Sequence, residues 1–130
     1  MISLRVRVST ILKLIAILLI VAVGLIHLDF AAPLLRFVPY IGVLFIANFV
    51  GSLVSAVGIY WDWLWGWVLG VLVAGGSFVG YVVSRLVGLP SFEMAVGAWL
   101  NPLGILSLVV EALFVALFVL AVITRRREES

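Results

Sequence analysis

Glu111 stands near the middle of residues 102–124, and no other residue in that stretch is charged. A carboxyl group at such depth in an apolar phase must find a hydrogen-bond partner, a cation or water, and residues of this kind mark functional sites by default. Two kinds of chemistry are open to it. As an acid it can donate a hydrogen bond and hold helices together. As a carboxylate it can carry a proton or bind a cation. Asn48, Ser77 and Tyr81 lie at similar depth in other apolar stretches. At about 1.5 Å of rise per helical residue, Asn48 and Glu111 sit about 13 Å below their helix ends, and Ser77 and Tyr81 about 8–14 Å. Gly104, Ser107 and Glu111 share one helical face. The expected arrangement is a buried polar layer in which Glu111 turns inward, because unpaired polar groups are costly in hydrocarbon. Arg85, one turn above Tyr81, joins that layer if it meets Glu111 directly or through water.

His27, Asp29, Arg36 and Glu93 form a second polar set, expected at the outer interface. Two carboxylates and an imidazole are compatible with zinc or copper, but their spacing does not enforce a metal site. The simpler reading makes Asp29 a cap and His27 an interface anchor. No nucleophile, base and acid fall at one depth. The glycines lack the following lysine of a phosphate loop. With no Cys and a single His, thiolate clusters and a bis-His haem within one chain are excluded. No catalytic residue, metal or cofactor is expected.

The elements that position these residues follow from composition. The chain has 130 residues, of which 66% are hydrophobic and 11% charged, against about half and about a quarter in an ordinary soluble domain. Its solvent must be lipid. A hydrocarbon core of about 30 Å needs roughly 20 apolar residues per crossing, so the length fits one all-α, polytopic domain (1–130) forming a four-helix bundle. The spans are expected at residues 8–28, 39–59, 63–86 and 102–124. The first is read as a retained helix, because further spans follow and no small-residue cleavage site is evident. Lys13 would snorkel out of it.

Residues 27–39 read as a connector lying in the interface. Residues 60–63 make a tight turn around Asp62. Gly88, Leu89 and Pro90 end the third span, and Ser91 is placed to cap a short interfacial helix through residue 100. Asn101 and Pro102 open the fourth span as cap and first helical residue.

Arg5, Arg7, Lys13, Arg125, Arg126 and Arg127 hold six of the eight basic residues. That bias predicts a multi-pass protein of the cell membrane with both termini cytoplasmic. Tyr60, Trp61, Trp63, Trp65 and Trp67 would form one aromatic belt, and Phe30, Phe37, Tyr40, Phe92 and Trp99 the other. The Arg125 to Arg127 run reads as a stop-transfer signal touching anionic lipid. The basic residues form no patch with exposed aromatics, so nucleic acid is excluded as a partner.

Helices in lipid associate through close packing and hydrogen bonds. Asn48, Gly51, Ser55 and Gly58 share one face. Gly66, Gly70 and Ala74 form a second ridge, and Gly76, Gly80 and Ser84 a third, rotated from the second. One ridge can serve the bundle. The other can serve a second copy or another membrane protein.

The stretch 39–90, YIGVLFIANFVGSLVSAVGIY followed by GWVLGVLVAGGSFVGYVVSRLVGLP, resembles a group of small four-span prokaryotic membrane proteins without an assigned function. Asn48, Gly51 and Ser52 are also similar to the Asn-x-x-Gly-Ser element in the second span of CrcB-type fluoride channels. That similarity implies dual-topology dimers with a broken third span rich in Thr and Phe. Residues 78–84 supply one Phe and no Thr, and the charge bias opposes dual topology.

The expected function is that of a structural or accessory membrane protein whose partner is the bilayer, itself or a larger complex. The alternative is a small ion or proton channel or transporter using Glu111. The third is a lipid-modifying enzyme, which would need a polar cleft near His27, Asp29 and Arg36.

Overall fold

Short connections force neighbouring helices to run antiparallel, and this chain has two of them and one longer connector. The computed structural model describes residues 5–129, with side chains through residue 124. The helices are α1 (Thr10–Phe37), α2 (Pro39–Tyr60), α3 (Leu64–Leu86) and α4 (Pro102–Glu129). All four contain a stretch long and apolar enough to cross a membrane. Each packs against its sequence neighbours and α4 closes on α1, giving a ring. The fold is an all-α four-helix bundle of a multi-pass membrane protein. One end carries the α1 start, the α2–α3 turn and the end of α4. The other, the connector end, carries the α1–α2 turn and residues 87–101.

The first helix corrects the sequence reading. The expected connector at residues 27–39 is helical as far as Phe37, with Pro33 inside it. Pro33 lacks an N–H and so leaves the carbonyl of Asp29 without its helical partner. Asp29 is exposed there, so the helix continues. The turn is Val38 alone, at φ −140°, ψ 75°. Its N–H donates to Leu34 O at 2.7 Å, and its carbonyl accepts from Ile41 N at 3.0 Å. Pro39 then starts α2 at its first turn. Such a tight reversal needs Gly42, where an added Cβ would lie 2.6 Å from Leu35 N.

The interfacial helix expected at residues 91–100 reduces to one 3₁₀ turn, Glu93–Ala95. Ser91 sits at φ 58°, a left-handed conformation that does not suit an N-cap. Asn101 does cap α4, its Oδ1 accepting from Gly104 N at 3.1 Å.

The α2–α3 seam brings backbone against backbone. A Cβ on Gly66 would lie 2.5 Å from the Gly58 carbonyl carbon. Ser55 Oγ donates to Gly66 O across it at 2.6 Å. Gly70 fits against Phe114 of α4 and Ser55 of α2, while Gly24 of α1 fits against Ser52 of α2. Beneath these contacts, Ile20, Val23, Ile59, Trp67, Ala74 and Phe114 are fully buried.

Lys13 reaches the end of the bundle, where it meets the α2–α3 turn. Its Nζ lies 3.0 Å from Asp62 Oδ1 and donates to Tyr60 O at 3.1 Å. A cation at the last carbonyls of α2 is favourable by the helix dipole. Asp62, at φ 62°, holds the turn, and its carbonyl accepts from Val6 N at 2.8 Å. Arg5 lies 4.8 Å over the Trp63 ring. The Arg125 to Arg127 side chains fall outside the described residues.

Candidate functional site

Helix length decides which polar residues share a layer. Asn48 is nine residues into α2, Ser77 nine from the end of α3, and Glu111 nine into α4. His27 is ten residues from the end of α1. At about 1.5 Å per residue, all four lie roughly 13–15 Å below the connector end. His27 was expected at the interface with Asp29, Arg36 and Glu93. It is instead buried in the Glu111 layer, because α1 runs one third longer than its expected span. Asp29 is two residues further and therefore points to the opposite side of α1. Asp29, Arg36 and Glu93 are all exposed. Among the described residues, no three of His, Asp and Glu converge as a metal site would require.

Glu111 is 1% exposed. Ser107, one turn earlier on the same helix, donates to its Oε2 at 2.7 Å. His27 Nε2 lies 3.9 Å from that oxygen, beyond direct hydrogen bonding. Glu111 Oε1 is buried with no hydrogen-bond partner among the described residues. The His27 ring is fixed from its other side, with Nδ1 2.8 Å from Val23 O. A carbonyl only accepts, so Nδ1 carries the hydrogen and the neutral ring presents its Nε2 lone pair. Phe45 of α2 packs against this ring at 4.7 Å. Asn48 Nδ2 donates to Ser77 Oγ between α2 and α3, and Ser77 donates to Val73 O at 2.6 Å.

Arg85 does not meet Glu111. Its Nε donates to Ala98 O at 3.0 Å and its NH1 to Ser84 Oγ at 2.8 Å. The guanidinium lies 4.0 Å over the Tyr81 ring. These contacts turn it toward the connector and away from the layer below. Tyr81 packs over Gly104, where an added Cβ would lie 2.7 Å from its hydroxyl. Tyr40 donates to Pro90 O from α2. The connector is thus tied to α2 and α3.

Between the connector and the polar layer lies a cavity of about 850 Å³. Its walls are apolar, including Ile26, Phe30, Leu34, Leu44, Leu72 and Phe92. His27, Asn48, Ser77, Ser107 and Glu111 form its floor, and Tyr81 and Arg85 lie nearer its roof. Gly76 and Gly80 line it too, and a Cβ on either would meet nothing within 4 Å. The small-residue ridges therefore do different jobs. Gly58, Gly66 and Gly70 pack helices, Gly51 stands 3.0 Å from Val73 by its virtual Cβ, and Gly76 and Gly80 leave space. Beyond Asn48–Ser77, the lining residues Leu44 and Leu72 are 57% and 65% exposed. The cavity consequently opens sideways between α2 and α3.

Sequence reasoning missed His27 as a floor residue. The usable signal was the stripe Ile20, Val23, Gly24, His27 and Ala31, spaced by three and four residues. It missed Gly24 and Gly42 as packing positions for the same reason.

Removing the Arg85 guanidinium by Arg85→Leu frees the connector from α3. The expected cost is about 1–2 kcal/mol, the net loss of two hydrogen bonds at a partly exposed side chain. In hydrogen–deuterium exchange, amides of residues 87–101 should exchange faster while those of α1 and α2 stay unchanged. Unaltered connector exchange would refute this role.

Fold and site together define a four-span helical membrane protein with a side-opening cavity and an acidic floor. Comparisons with protein-family profiles, curated proteins and solved structures found no match.

Proposed function

We propose that this is an accessory membrane protein that receives a small bilayer-dissolved guest in its cavity. One observation carries the reading: Glu111 lines that cavity, and its buried Oε1 lacks any partner among the described residues. A carboxyl used only to hold the bundle together would bond across to another helix. Its hydrogen bond here comes from Ser107 on its own helix. The apolar mouth between α2 and α3 suits entry from the acyl phase. With the termini in the cytoplasm, as the basic residues favour, the cavity serves the outer leaflet.

The channel or carrier reading has one observation in its favour, that the cavity reaches Glu111. Against it stands the apolar plug below. Trp67 and Phe114 stack with ring centroids 5.9 Å apart, and Ile20, Val23 and Ala74 are fully buried beside them. Hydrated ions need polar lining throughout a path.

Proton entry into liposomes carrying a pH-sensitive dye separates the two readings. Proteoliposomes should acidify no faster than empty liposomes. Acidification that is faster and is abolished by Glu111→Gln would overturn the blind-cavity reading in favour of a carrier.

A further inference from the structure

The floor of the cavity has a definite hydrogen-bonding polarity. Glu111 Oε1 is a buried oxygen without a partner among the described residues. His27 commits its Nδ1 hydrogen to Val23 O, so the neutral ring offers only the Nε2 lone pair. Both atoms belong to side chains that line the cavity and that are 1% and 7% exposed. Ser107 donates to Glu111 and Ser77 to Val73, and Asn48 gives one of its two amide hydrogens to Ser77. With Glu111 ionised, its Oε1 and the His27 Nε2 lone pair both accept, so a guest that completes this floor brings hydrogen.

Position narrows the guest further. The floor lies roughly 13–15 Å below the connector end, where a charged or zwitterionic head is expensive to carry. A phospholipid would place its tail, not its head, against Glu111. The walls are apolar, and the mouth between α2 and α3 lets a chain remain in the acyl phase while its head sits inside. Gly76 and Gly80 keep the mouth wide.

We propose that the cavity binds a neutral amphiphile head first, its hydroxyl group donating to Glu111 Oε1 beside His27 Nε2. This inference rests on the guest-binding reading above and adds the guest's chemistry: a lipid-soluble alcohol with a single-chain or slender apolar body. No bond is made or broken, and the hydroxyl proton stays with its oxygen.

The test uses the full chain in phosphatidylcholine nanodiscs with three probes of equal chain length: 1-dodecanol, its methyl ether and dodecylamine. Probe retained above empty nanodiscs is counted by mass spectrometry. The alcohol should bind about tenfold more tightly than the ether, which has the same shape but no donor. Glu111→Leu should erase that preference. Gly80→Leu should block both probes, since its side chain projects into open space and leaves the helix contacts intact. Its unchanged thermal unfolding would show that blocking is not misfolding.

Equal retention of alcohol and ether, both blocked by Gly80→Leu, would overturn the hydroxyl inference and keep the guest cavity. Preference for dodecylamine over the alcohol would also overturn it, in favour of a cationic guest. Retention of no probe above empty nanodiscs, in wild type as in Gly80→Leu, would overturn the guest cavity itself.

Discussion

Gly66→Val should cost the bundle about 2–3 kcal/mol, the upper range for overpacking, and lower the yield of folded protein. The atoms in the way are backbone. A Cβ at Gly66 would meet the Gly58 carbonyl carbon at 2.5 Å and Ile59 N at 2.6 Å. Neither can rotate aside, so α2 and α3 must separate. Separation also breaks the bond from Ser55 Oγ to Gly66 O, in a place where no water replaces it. Replacing a glycine inside a helix returns less than about 1 kcal/mol in backbone entropy, which does not offset the clash. Gly76→Val on the same helix is the control. A Cβ there meets nothing within 4 Å, so its effect should stay within about 0.5 kcal/mol of zero. Denaturant unfolding in mixed micelles measures both. Equal stabilities for the two variants would mean that α2 and α3 do not meet at Gly58 and Gly66.

That contrast bears on how much of the molecule was readable in the chain. Spans 39–59 and 63–86 were legible because each is bounded by strong punctuation: Pro39, the Trp61 to Trp63 turn, and Gly88 with Pro90. The start of α4 was legible because Asn101 and Pro102 are a cap and a first-turn residue. Glycine ridges were legible as ridges. Which ridge packs and which lines a void was not, because that depends on where α2 and α3 diverge. The end of α1 was misread because Pro33, Asp29 and Arg36 resemble a loop by composition. The helix tolerates all three, since the polar ones face outward and Pro33 forfeits one bond at an exposed carbonyl.

The same error hid His27, one of the five floor residues. Depth is counted from a helix end, so ending α1 near residue 28 put His27 at the interface. Ending it at Phe37 places His27 about 15 Å below that end, beside Glu111. Arg85 was misplaced for a different reason. Sequence spacing gives its height but not the direction of a long side chain, and the carbonyl of Ala98 that it meets belongs to a connector with no periodicity to read. Glu111 itself was legible, because a lone carboxyl in an apolar span must find a partner, a cation or water.

Phe114→Ala should be nearly as damaging as Gly66→Val, by about 2–3 kcal/mol. In a water-soluble core the same truncation costs about 3–5 kcal/mol, of which part is transfer of the ring from water. Here the unpacked ring faces lipid, so that part largely vanishes. What remains is the loss of dispersion contacts around a hole. The hole is specific: Phe114 and Trp67 are both fully buried and stack at an interplanar angle of 27°. Gly70 backs onto the same ring, with its virtual Cβ 2.5 Å from Phe114 Cζ. A double-mutant cycle follows from that distance. Gly70→Ala alone should destabilise, because its new methyl strikes the ring. In the Phe114→Ala background that methyl has somewhere to go, and only the clash with the Ser55 hydroxyl at 2.6 Å remains. The pair should therefore be coupled by about 1 kcal/mol in the favourable direction. Strictly additive losses would mean that α3 and α4 do not meet in this register, and the plug that closes the cavity from below would have to be placed elsewhere.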